Sequence, residues 1–410
     1  MQNDKFRGVS CNKGNPRWDE CTTRPGKLYY REDIRGPFLR DYNRILHCKA
    51  YRRLKHKTQV FFATENDHIC TRIEHVNHVS SVSYTISKFL GLNTELANAI
   101  AIGHDLGHAP FGHEGEKVLK DIAKKDLGEE FWHEKNSLRF IDKLETLTSP
   151  EGREENLSLT YAVRDGIVCH CGEVDENSIY PRKEYINLSD ISEPGEVSPY
   201  TWEGCVVRIA DKISYLGRDI EDALTLQILN ISQIRELKDI IRKDIIKEEF
   251  NISEINNTAL MHEFIMDLCT QSNPDSGLIF SSEYLEFINR VKDFNYKNIY
   301  HHPRLESFRK YARLIIESIY VKLDDQYDGR ETLSHLTRQE RVYPELFGSF
   351  GQWLVKYSDI SPAKRPVKYQ NHIVYNIDDR EDYRRAIMDF ISGMTDNYAI
   401  KIFNEMIRFM

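Results

Sequence analysis

HVNHVSSVSYTISKFLGLNTELANAIAIGHD, residues 75–105, has the spacing of two consecutive helices. Its first half carries apolar side chains at Val76, Val79, Val82, Ile86, Phe89 and Leu90. Steps of three and four are the stripe of one helix face. Gly91 follows the last apolar residue, where a left-handed stop is expected. Thr94 is then the expected cap of a second helix, with Glu95 in its first turn and Leu96, Ala97, Ile100 and Ala101 along it. That helix runs into Gly103-His104-Asp105.

Outward from this pair the same period recurs. The pattern turns helical at about Arg35. Val206–Leu224 reads as one helix, and Leu237–Val291 as two or three. Residues 303–326 and 382–408 read as long amphipathic helices. Strand-like runs are few and short, Gln59–Ala63 and Ile373–Ile377. The alternation of strands and helices that builds a parallel sheet is absent, so a mainly α fold is expected. The first thirty residues, rich in Asn, Arg, Gly and Pro, lack periodicity. We read 1–34 as an irregular arm, 35–230 as the helical core, and 231–410 as a helical region packing on it.

Composition narrows the function. The chain has 410 residues, 40% hydrophobic and 29% charged, with a net charge of −8. That balance argues against a surface made to wrap duplex DNA, though not against a local basic pocket. No apolar run approaches the roughly 20 residues of a membrane span, and no signal-peptide pattern is present. Eight cysteines are scattered without a CxxC pair. They read as reduced thiols of a cytoplasmic protein.

The chemistry concentrates in HDLGHAPFGHEGE, residues 104–116, with three His and three acidic residues among glycines. Burying such groups is costly unless they are paired or hold a metal. Consecutive helical residues point about 100° apart, so His104 and Asp105 turn on one ion only where the helix ends; Gly103 and Gly107 allow an irregular, close backbone there. Imidazole with carboxylate suits a divalent transition metal. His75 and Asp211 are further candidate ligands. Asp211, Tyr215 and Asp219 lie at i, i+4 and i+8, one polar face of an otherwise apolar helix. Basic residues (Arg40, Arg44, Lys49, Arg52, Arg53, Lys55 and Lys57) precede the motif, and guanidinium groups bind phosphate oxygens in pairs.

These residues carry a resemblance. RDYNRILHCKAYRRLKHKTQV (40–60) resembles the entry motif of bacterial deoxyguanosine triphosphate triphosphohydrolases. TRIEH (71–75), HDLGHAPFGHEGE (104–116), DGIVCH (165–170), DKISY (211–215) and ISGMTDNYA (391–399) match that family in order, so the resemblance spans roughly Asp33 to Ala399. It implies an HD-type helical phosphohydrolase with additional helices. It places a divalent cation, Mn²⁺, Mg²⁺ or Fe²⁺, on His75, His104, Asp105 and Asp211. It makes His108 a catalytic group, Glu116 its orienting acid, and His133 a second catalytic histidine. Phosphate and sugar contacts fall on Arg72, Lys212, Tyr215 and Asp219, with the basic Arg52 and Arg53 nearby, and Gln59 reads the sugar 3′-hydroxyl. After His133 the family usually has Asn and then Gln, where this chain has Glu134 and Asn136.

The activity implied is hydrolysis of a deoxynucleoside triphosphate, dGTP first, to deoxynucleoside and triphosphate. His108 is the first choice of acid for the leaving 5′-oxygen and His133 the second. The resemblance also implies a homo-oligomer and leaves an allosteric nucleotide open. Two other readings compete: an HD phosphohydrolase of a monophosphate or alarmone, and a nucleotide sensor or single-stranded nucleic-acid binder.

Overall fold

The computed structural model describes residues 4–28, 33–62, 66–171, 177–245, 257–361 and 364–408. The protein is mainly α, as its periodicity requires.

Short α1 (Trp18–Thr22) is followed by α2 (Pro37–His47) and α3 (Lys49–Arg53). The central helices are α4 (Arg72–Leu90), α5 (Thr94–Gly103), α6 (Gly112–Asp126), α7 (His133–Arg139), α8 (Tyr161–Val168) and α9 (Trp202–Thr225). A two-stranded antiparallel hairpin, β1 (Thr146–Thr148) and β2 (Glu154–Asn156), lies between α7 and α8 with Thr146 opposite Asn156. The rest is helical: α10 (Ile231–Ile245), α11 (Asn257–Gln271), α12 (Ser282–Asn295), α13 (Arg304–Asp324), α14 (Thr332–Gln339), α15 (Pro344–Tyr357), α16 (Arg380–Ser392) and α17 (Asp396–Ile407).

Helix α4 starts where the Glu74 carboxylate accepts from the Thr71 backbone N–H at 2.8 Å, and it stops at Gly91, whose φ is 80°. Both signals follow from the need to satisfy or cap free backbone groups at helix ends. Its stripe, Val76, Val79, Val82, Ile86 and Leu90, is buried. Helix α5 is buried at Leu96, Ala97 and from Ala99 to Gly103, which makes it the central helix, with α2, α4, α8 and α9 packed around it. Its cap is Asn93 rather than the expected Thr94: the Asn93 side chain accepts from the N–H groups of Glu95 and Leu96. Both residue types cap well, and Asn93 is the one whose backbone is extended. Small residues set the spacing between α5 and α8. A Cβ on Gly166 would lie 2.5 Å from Ile100 Cδ1, and one on Gly103 would lie 2.5 Å from Ile167 Cδ1.

The N-terminal segment is not wholly irregular, since it contains α1. It packs on the core through Phe6, whose ring meets Trp202 edge-on at 4.9 Å. The buried Glu203 carboxylate holds it by accepting from Ser10 Oγ and Cys11 N, and from Asn93 N at the start of α5.

Residues 59–62 form no strand, and Ala63 lies outside the described residues. Ile373–Ile377 is not a strand either; Tyr375 makes only an isolated bridge to Ser358. The continuous helix over 382–408 is two helices, broken at Gly393-Met394-Thr395, where Thr395 Oγ1 caps α17 by accepting from Tyr398 N. An apolar period continues in register across the break, so it cannot reveal it. Among the described residues no helix is long and apolar enough to cross a membrane, and all eight cysteines are buried and free of disulfides.

Candidate metal and phosphohydrolase site

The site lies where α5 ends. His104 follows the last turn of α5 in a helical conformation, and its Nδ1–H donates to Ala101 O at 2.6 Å. Its Nε2 is buried and without a hydrogen-bond partner. Nε2 faces Asp105 Oδ1 at 3.6 Å and Asp211 Oδ1 at 3.7 Å. His75, from the first turn of α4, meets Asp211 Oδ1 at 2.9 Å, and the ligand atoms of His75, His104 and Asp211 all lie within 4.8 Å of one another. A second such group joins His104, Asp105 and His170. Burial would raise the Asp211 carboxyl, but His75 and His104 outweigh it and hold it at about 2. The Asp211 carboxylate therefore stays ionised beside the unpartnered Nε2 of His104, and this set of imidazole and carboxylate donors fits a divalent cation.

Beside it His108, His113, Glu116 and His133 gather. The His108 and His133 rings stack with centroids 3.9 Å apart. Helix α7 delivers His133 through a backbone contact. Asn136 Nδ2 donates to Gly107 O at 2.6 Å, Gly107 N donates to Ser137 Oγ, and Ser137 Oγ donates to His104 O. A Cβ on Gly107 would sit 2.1 Å from Ser137 N. Gly107→Ala is thus expected to push α7 off the motif and destabilise the fold by about 1–3 kcal/mol, as overpacking does. Chemical denaturation checks this, and a variant as stable as the parent would show that α7 is free to move.

The two stacked histidines differ electrically. Burial, with Arg72 and His133 nearby, keeps His108 far below the usual imidazole value. Burial also opposes charge on His133, but the Glu134 and Glu116 carboxylates outweigh it and raise it to about 10. His133 Nδ1 lies 3.2 Å from Glu116. His108 Nε2 lies 3.1 Å from Asp105 Oδ1, and its Nδ1 is buried without a hydrogen-bond partner.

Around both clusters, further buried polar atoms lack partners: Gln59 Oε1, Arg72 Nη2, His170 Nε2 and Asp219 Oδ1. An atom left unsatisfied costs about 1–3 kcal/mol, so these four beside the His/Asp clusters are open to the polar groups of a ligand. Arg72 is anchored by its other nitrogens, Nη1 to Asp105 Oδ2 at 2.8 Å and Nε to Thr58 O at 3.2 Å. Asp219 accepts from Tyr300 OH at 2.5 Å, and burial pushes its carboxyl up to about 7. Lys212 and Tyr215 are half-buried on the same helix as Asp211 and Asp219.

Not every expected contact is in this place. Arg53 pairs with Glu145 at 2.7 Å, and Arg52 is exposed on the same helix. Arg44 donates to Leu157 O at 2.6 Å, and Lys57 is buried against backbone carbonyls. Much of the basic run therefore fastens the scaffold. Conversely, His113, His170 and Tyr300 belong to the arrangement and were not among the candidates. The signals for the first two were present, since both histidines sit inside quoted motifs. For Tyr300 none existed.

Comparison with known proteins agrees with this architecture. The model of the HD domain matches residues 72–216, and that of the phosphohydrolase-associated domain matches residues 327–405. The class is thus that of the HD-domain phosphohydrolases. Similar proteins are a deoxyguanosinetriphosphate triphosphohydrolase-like protein of Bartonella quintana (strain Toulouse), 30% identical over 98% of this chain and 96% of the relative, and one of Pelagibacter ubique (strain HTCC1062), 33% identical over 90% and 92%. A third, from Rickettsia bellii (strain RML369-C), is 31% identical over 93% and 94%. The chain belongs to the family of deoxyguanosinetriphosphate triphosphohydrolase-like proteins.

Proposed function

We propose that this protein hydrolyses deoxynucleoside triphosphates, dGTP first, to deoxynucleoside and triphosphate. The observation that carries the reading is the set of unpartnered buried atoms, Gln59 Oε1, Arg72 Nη2 and Asp219 Oδ1, around a His/Asp cluster suited to a cation. An acceptor, a cationic donor and a carboxylate oxygen together suit a ligand that combines hydroxyl groups with phosphates. The names of the relatives point the same way.

A cation on His75, His104, Asp105 and Asp211 would supply charge neutralisation and polarisation at the phosphate. Arg72 and Lys212 offset the charge that grows on the triphosphate. Gln59 and Asp219 hold the sugar hydroxyl, with Tyr300 fixing the Asp219 carboxyl. Water attacks the α-phosphorus and the 5′-oxygen leaves with a proton. His133, kept protonated by Glu116 and Glu134, suits that donation better than His108. His108, neutral with its Nδ1 unpartnered, is placed to accept from the attacking water. The order of preference between the two histidines is thereby reversed from that in the sequence. In the same reading the protein is a cytoplasmic homo-oligomer, and a regulatory nucleotide or single-stranded nucleic acid is to be tested for.

Each of the four deoxynucleoside triphosphates, alone and mixed, should be incubated with the protein and Mn²⁺ or Mg²⁺, and the products separated. Deoxynucleoside with intact triphosphate is expected, most from dGTP. Release of pyrophosphate or single phosphate would contradict the reading. Turnover of a monophosphate or an alarmone instead would move the protein to another HD substrate class.

A further inference from the structure

The loop that carries His108 into α6 is bent in an unusual way. Phe111, a bulky residue, has φ 64° and ψ 21°, and Gly112 follows at φ 60°. Left-handed backbone is rarely adopted by a large side chain unless its surroundings hold it. His113 and Glu116 lie in the helical turn that this bend starts, so the bend sets where they point.

What holds it comes from the far end of the chain. Asp396, at the start of α17, accepts from Phe111 N at 2.8 Å with Oδ1, and from Thr58 N and Thr58 Oγ1 at 2.9 and 2.5 Å with Oδ2. It is 2% exposed. The other end of the loop is tied to the same segment: Lys57 Nζ donates to His108 O and, at 2.9 Å, to Ser392 O. Thr58 passes the restraint on, since its carbonyl accepts from Arg72 Nε, and Arg72 donates to Asp105. Three donors converge on the two oxygens of Asp396. An amide could not serve them all, because it would turn an N–H toward one.

We propose that Asp396 is a positioning residue: the phosphohydrolase-associated region reaches back through this carboxylate to hold the left-handed turn that aims His113 and Glu116 at His133. The activity readout rests on the triphosphohydrolase reading above; the exchange readout below does not.

Asp396→Asn should be compared with Glu405→Gln. Glu405 lies on the same helix, but its carboxylate accepts from Glu345 N and Leu346 N, at the start of α15. Asp396→Asn is expected to lower kcat about 10²-fold, the size of a ~1 Å misplacement, with bound Mn²⁺ little changed. Glu405→Gln is expected to lower Tm while sparing kcat. Hydrogen exchange should quicken in Asp396→Asn at residues 111–116 and 58–60, while α4 and α9 keep their protection. Thr58→Val, which removes one donor of three, should show the same local pattern more weakly, and it decides the matter if Asp396→Asn does not fold. Unchanged kcat in Asp396→Asn, an equal kcat loss in Glu405→Gln, or exchange quickened evenly across the chain would overturn the proposal. If the parent protein hydrolyses no deoxynucleoside triphosphate, the functional reading fails and the exchange pattern alone decides on Asp396.

Discussion

Asp211→Ala is expected to release the divalent cation and to abolish hydrolysis with it. Asp211 Oδ1 is the atom that His75 Nε2 and His104 Nε2 share, at 2.9 and 3.7 Å. Removing it takes away a negative charge and leaves two buried imidazoles facing each other without a common partner. Losing a residue that merely orients a metal ligand typically costs ~10–100-fold in affinity, and losing a ligand itself should cost more. Metal analysis of the purified variant, with turnover at high added Mn²⁺, checks this. Full metal content would remove Asp211 from the ligand set. Full metal content with no turnover would give it another role in the reaction.

His133→Ala is expected to cut kcat by about 10²–10⁴, the ordinary contribution of one general acid, while leaving bound metal unchanged. The reason is the charge that Glu134 and Glu116 hold on this ring, against its burial, up to about pH 10. The sign of the pH effect follows. An acid needed in its protonated form works below its pKa, so the activity should fall on the alkaline limb. Glu116→Gln removes one of the two carboxylates that raise His133, lowers its pKa, and should shift that limb to lower pH. The pH profile of kcat for parent and Glu116→Gln measures it. A limb that stays in place would show that another group donates the proton. His108→Ala provides the contrast. Its ring is neutral, so its loss should lower kcat without moving the alkaline limb.

The helical class of the fold was legible because periodicity is local. Val76 to Leu90 must repeat at helical spacing if one face is to lie against α5 and α9, and Gly91 must follow because the last carbonyls need a left-handed residue. The clustering of chemistry at 104–116 was legible for a similar reason, since such groups are not buried without a purpose. The break between α16 and α17 is hidden in the apolar pattern, which keeps its phase across it, and is marked only by Gly393 and the capping Thr395. The short strand-like run at Ile373–Ile377 is apolar enough to be read either way, and its neighbours offer it a single bridge to Ser358 instead of a ladder.

Which helices form, where several of them stop, and which side chains are costly to bury all follow from the local order of residues. Which of those side chains meet follows only from the packed fold. His133 reaches His108 only because Gly107 lets α7 touch the motif's backbone. The basic run divides into groups that fasten the scaffold and an Arg72 that faces the site only because Glu145, Leu157 and Asp105 lie where they do. Asp396 acts on Phe111 across 285 positions. Local conformation depends on neighbours a turn away and can be read along the chain; contacts between distant segments depend on the close packing of the whole interior, which no local pattern encodes.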